Sequence, residues 1–181
     1  MKNVRQELPD EDRRSFEGNE TDIKQISAKE LFSAIEELLA EGRQAAFTVT
    51  GMSMWPFLCH GRDQVVVEAC RPEKLRKGDV ILFQTYYGNY LLHRVTKLKK
   101  DGFQTTGDGN CFRDGYFPFS CLRARVVRMI RKGKTIDCDS ARWKVIFSLW
   151  ILLYPFRRQL LWLLRSVSRM KGKIGKAFHS L

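Results

Sequence analysis

After Asp139 the chain contains no aspartate or glutamate, so its net charge of +12 over 181 residues is a property of the C-terminal end. A cationic end without internal compensation calls for an anionic neighbour, a lipid surface or a nucleic acid. No C-x-x-C pair occurs among the five cysteines, Cys59, Cys70, Cys111, Cys121 and Cys138. Their irregular spacing gives neither a zinc site nor a complete disulfide framework, and reduced thiols in a cytosol-facing domain are expected. The polar, acidic N-terminal stretch has no apolar h-region, which excludes a signal peptide or an anchor there. No apolar run reaches the about 20 residues that cross a bilayer. Helical periodicity precedes the strands only once, which leaves no room for a helix-turn-helix module, and no specific nucleic acid partner is expected. There is no internal repeat, and nothing calls for a metal or cofactor.

Residues 1–26 offer little to bury and read as a disordered polar arm. Ser27 and Glu30 form a capping box, and Leu31, Ile35, Leu38 and Leu39 recur at helical spacing up to Gly42, predicting a helix over 27–42. Strand signals follow at Gln64–Glu68, Asp79–Phe83, Tyr90–Val95, Gly102–Thr106 and Arg123–Ile130. Short strands at this regular spacing predict a mainly β, coiled barrel-like domain that closes near residue 139.

From residue 140 the composition changes. Val145–Tyr154 is apolar nearly all round, Pro155 interrupts it, and Leu160–Leu164 resumes after Arg157 and Arg158. Two arginines in the middle of a single span would cost several kcal/mol. Two apolar helices hinged at Pro155 and lying in an anionic membrane interface are expected instead, with the basic tail of Arg165, Arg169, Lys171, Lys173 and Lys176 against lipid. A pair of core helices packed on the barrel is the alternative.

The stretch Thr50-Gly51-Met52-Ser53-Met54-Trp55-Pro56 holds the first candidate for chemistry. Gly51 opens backbone space closed to other residues and Pro56 cannot continue a central strand, which puts Ser53 on a rigid strand-to-turn junction where a nucleophile belongs. A serine nucleophile needs a base and a group to orient that base. Of three histidines, His60 reads as a loop residue beside a turn and His179 lies in the tail. His93 stands in an apolar strand, sharing a face with Leu91 and Val95. A hairpin with the next strand returns Asp108, held between Gly107 and Gly109, towards His93, and Asp114 follows in the same loop. Either carboxylate satisfies the pattern.

Five stretches in order, Gly51–Pro56, Gly61–Asp63, Lys77–Phe83, Leu92–Val95 and Thr106–Asn110, resemble the boxes of type I signal peptidases and the related self-cleaving LexA-type repressors, over residues 45 to 130. Bacterial leader peptidases and LexA-type proteins carry a lysine where His93 stands; the endoplasmic-reticulum-type signal peptidases carry histidine. The resemblance to the latter implies Ser53 as nucleophile, His93 as general base, Asp108 as the orienting carboxylate and Asp114 as the second acidic position. Histidine also accepts a proton near neutrality without the desolvation a lysine needs.

The oxyanion would be held by the Ser53 N–H and a neighbour. Many leader peptidases place a serine at the position of Gly51, so Thr50 is the candidate substitute. The chain departs from the family in having its apolar segment at the C-terminus. The expectation is a serine endopeptidase processing a peptide or protein precursor at the cytoplasmic membrane of a prokaryote, with its domain on the cytoplasmic side. A LexA-like self-cleaving regulator and a catalytically silent membrane-binding module are the alternatives.

Overall fold

The computed structural model describes residues 28–178 of the chain. The polar arm and Ser27 of the capping box lie outside them. The chain forms an antiparallel sheet with one helix before it and two after it. Helix α1 (Ala28–Ala40) lays Ile35 and Leu39 into the core and ends before Gly42, whose φ of 74° suits a helix terminus.

The strands are β1 (Ala45–Thr48), β2 (Gln64–Glu68), β3 (Val80–Gln84), β4 (Tyr90–Lys99), β5 (Gly102–Thr106), β6 (Tyr116–Pro118), β7 (Leu122–Arg131) and β8 (Lys134–Asp137). Their order is β1-β2-β7-β3-β4-β5-β6, with β8 paired to β7. β7 is the hub: β2 lines one edge, while β3 and β8 share the other. Register shifts in β2–β7, β3–β7 and β4–β5 bend the sheet.

Alternation along β3 explains its unbroken apolar run. Val80 and Leu82 enter one core with Val65, Val67, Val126 and Met129, whereas Ile81 and Phe83 enter a second with Val95, Phe103 and Phe117. A strand buried on both faces needs no polar side.

Helix α2 (Ala141–Leu152) and helix α3 (Arg157–Phe178) flank a 3-10 turn at Tyr154–Phe156, so the hinge lies at Pro155. Phe147, Trp150 and Leu161 join the first core, making it continuous across residue 140. The helices are thus partly core elements, and α3 is amphipathic rather than apolar. Among the described residues no helix is long and apolar enough to cross a membrane.

Candidate active site

Ser53 lies in a chain of tight turns between β1 and β2. Gly51 takes φ +81°, and Trp55 N–H donates to Met52 O at 3.1 Å, which closes the turn around Ser53. Gly51 N–H donates to His60 Nδ1 at 3.0 Å. Beyond the turn, Asp63 is fully buried, accepts the Cys59 N–H at 2.8 Å and pairs with Arg62 through both oxygens. Burial pushes the Asp63 carboxyl up, but the Arg62 guanidinium and the Cys59 N–H outweigh it and hold the group below the usual carboxylate range. The Gly61-Arg62-Asp63 box is therefore a local lock on the segment that carries Ser53.

The Gly107–Asn110 loop underlies this turn. Gly109 N–H donates to Ser53 O at 2.7 Å. A Cβ on Gly107 would come within 2.6 Å of Ser53 O, and one on Gly109 within 2.8 Å of Met52 O and 2.9 Å of Trp55 O. Both glycines are dictated by this close approach of two backbones. Gly107 also stands one residue beyond the last β4–β5 pair, Arg94 with Thr106, on the side of His93.

His93 is 4% exposed and lies on the face of Phe83, pairing across the ladder with Ile81. Its Nδ1 is 2.6 Å from Asp114 Oδ2. The same oxygen accepts the Thr105 hydroxyl at 2.6 Å, and Asp114 N–H donates to Thr105 O at 3.0 Å. Burial raises the Asp114 carboxyl, but the bond to His93, the charge of that ring and the Thr105 hydroxyl together hold it below its ordinary value. A carboxylate on Nδ1 fixes the tautomer with its proton there and leaves the lone pair on Nε2.

Asp108 does not meet His93, which corrects the expectation that its place in the hairpin would bring them together. Both its oxygens are used by Arg94, at 2.8 Å from Nε and 2.7 Å from Nη2, in a pair that is 1% and 0% exposed. Arg94 follows His93 on β4 and so points to the opposite face. There its guanidinium lies 4.0 Å from the Phe147 ring centroid and donates to Gly78 O at 2.8 Å. That bond ties the Lys77-Gly78-Asp79 turn to β4, as do Gly78 N–H to Val95 O at 2.9 Å and Val95 N–H to Asp79 O at 2.8 Å.

Ser53 is half-buried and Thr50 is exposed just before Gly51. Among the described residues, no hydrogen bond joins Ser53 Oγ to His93, and neither His93 Nε2 nor the Ser53 N–H has a partner.

Three contributors had no signal in the sequence pattern. Arg157, 2% exposed, donates to Gly107 O and Trp150 O, each at 3.4 Å; burial lowers its affinity for a proton. Arg165 donates to Gly109 O at 3.3 Å, and the Tyr154 hydroxyl to Cys111 O at 3.3 Å. The C-terminal helices thus grip the loop on which the Ser53 turn rests. Among the described residues no cluster of His, Cys, Asp or Glu could hold a metal ion. No protein-family model matches the chain, and no curated protein is significantly similar to it.

Proposed function

We propose that this protein is a serine endopeptidase of the signal-peptidase type that processes a peptide or protein precursor at a membrane surface. The observation that carries the reading is the His93 Nδ1 to Asp114 Oδ2 bond of 2.6 Å, made at a buried position of β4, together with the contact of the Gly107–Asn110 loop on the turn that carries Ser53. In this reading Ser53 Oγ attacks the scissile carbonyl while His93 Nε2 takes its proton. His93 later returns that proton to the leaving amine, and Asp114 holds the ring and balances the imidazolium. Water then repeats the cycle on the acyl-enzyme. The Ser53 N–H, with Thr50 beside it, faces the oxyanion. The Arg94–Asp108 pair positions the loop and has no part in proton transfer. The fold that accompanies this reading is the coiled, barrel-like domain of that superfamily.

Membrane association is supported by what the C-terminal helices leave uncovered: Val145, Leu149 and Leu152 on α2, then Phe156, Leu163, Val167 and Met170. An amphipathic helix pair with such a face and a cationic surround seats in an anionic interface without crossing it. The test is cleavage of a precursor by wild type and Ser53→Ala. Loss of cleavage in the variant is expected; cleavage that survives it removes the assignment.

One observation favours a second reading. The missing Ser53–His93 hydrogen bond is what a silent module retaining this fold would have, and such a module binds anionic vesicles without cleaving anything.

A further inference from the structure

Helix α3 carries two stripes on different sides. Leu160, Leu163, Val167 and Met170 recur at helical spacing, and so do Arg158, Trp162, Arg165 and Arg169. At 3.6 residues per turn the centres of the two stripes lie roughly 150° apart. Of the second stripe, Arg165 and Arg169 lie beside the Ser53 turn, whereas Arg158 and Trp162 lie against Leu163. Met52, Trp55, Arg165, Ser168 and Arg169 together line an open groove of about 420 Å³, with Met52 adjacent to Ser53 in the chain and 58% exposed. The Arg165 guanidinium carbon lies 5.8 Å from the Trp55 ring centroid.

Among the described residues, no carboxylate pairs with Arg165 or Arg169. Arg165 uses Nη2 on Gly109 O, and Arg169 uses Nε on Arg165 O at 3.3 Å; among the described residues the Nη groups of Arg169 have no hydrogen-bond partner. One guanidinium over Trp55 and a second arginine in the same groove, whose lining includes Met52, the residue before Ser53, fit a planar carboxylate.

We propose that this groove is an acid-reading subsite: a precursor extended across Ser53 places an aspartate or glutamate between Arg165 and Arg169, with apolar neighbours on Trp55 and Met52. The proposal rests on the peptidase reading and deepens it by naming a substrate class. A lipid headgroup is the weaker occupant, because a bilayer seated on the apolar stripe leaves these arginines on the other side of the helix. Arg165 also holds the Gly109 carbonyl, so Arg169 is the cleaner handle.

The test digests a random peptide library with the full chain, with Ser53→Ala as the blank, and reads the cut sites by mass spectrometry. Wild type is expected to favour Asp or Glu over Gln at one fixed position from the cut by about tenfold, the scale of a charge-assisted hydrogen bond. Arg169→Gln abolishes the preference, and Arg169→Glu shifts it to Lys or Arg at that position. Ser53-dependent cutting without an acidic preference overturns the subsite and leaves the peptidase standing. A preference unmoved by Arg169→Glu, with only binding to phosphatidylglycerol vesicles weakened, overturns it in favour of lipid. Absence of any Ser53-dependent cut overturns the peptidase reading, and the subsite with it.

Discussion

His93 and Arg94 are neighbours on β4, point to opposite faces, and each meets an aspartate from the same loop. The two pairs differ in what they can do. Arg94 and Asp108 are sealed from solvent and joined through two hydrogen bonds, with the guanidinium over the Phe147 ring. His93 and Asp114 share one bond, Thr105 holds the carboxylate from a second direction, and among the described residues the other imidazole nitrogen has no partner. The first arrangement fixes a loop. The second is the one that moves a proton in the proposed reading. Strand alternation sends His93 and Arg94 to opposite faces, and the course of the loop brings one carboxylate to each.

The comparison breaks first at the chemistry. Ser53→Ala or His93→Gln should lower kcat/KM for a cleaved precursor by roughly a millionfold, with melting little changed. Asp114→Asn should lower kcat by roughly ten thousandfold while leaving KM near wild type, because the ring loses its orienting carboxylate but the groove is untouched.

Asp108→Asn should act on stability instead. Leaving Arg94 charged and unpaired in the core costs about 3–5 kcal/mol in denaturant unfolding, whereas the double replacement Arg94→Met with Asp108→Leu should cost less. An Asp108→Asn protein of undiminished stability but lost activity would merge the two roles.

Smaller effects sharpen the contrast. Gly109→Ala sets a methyl against the Met52 and Trp55 carbonyls, which cannot swing aside; a cost of about 1–3 kcal/mol is expected, with a larger proportional loss of activity as the Ser53 turn shifts.

The smallest effect lies in pH. Asp114 is depressed in the folded state, so its stabilising contribution is complete above the unfolded carboxyl value of about 3.9 and is lost as pH falls through the lower folded value. The stability cost of Asp114→Asn should therefore be largest near neutrality and fade on acidification, as read from unfolding midpoints across that range.

Much of this arrangement is legible in the chain before folding. Residues Gln64–Glu68 and Gly102–Thr106 form strands over the ranges their composition predicts, since turn residues bracket apolar runs there. Alternation places His93 with Val95 on a buried face, and Gly51 takes the positive φ expected of it. The partner of His93 was not legible. Asp108 and Asp114 lie in one loop, and only the second leg of that loop, where Asp114 N–H meets Thr105 O, decides which one returns to the histidine's face.

His60 lies exposed in a turn, as its place in the sequence suggests, and there accepts the Gly51 N–H. Arg157 was misleading: an arginine expected at a lipid interface is buried against Gly107 O, through a contact made across a long sequence separation. The β4 register shift that carries Thr96 past its β5 partner likewise has no local marker.

The claim that Ser53 is a nucleophile activated by His93 is tested by intact-mass analysis after incubation with a serine-reactive fluorophosphonate. One adduct is expected, mapping to Ser53 and absent from both Ser53→Ala and His93→Gln. A folded wild type that forms no adduct, or that labels at Ser53 equally well without His93, would contradict the assignment and leave the silent membrane module as the better description.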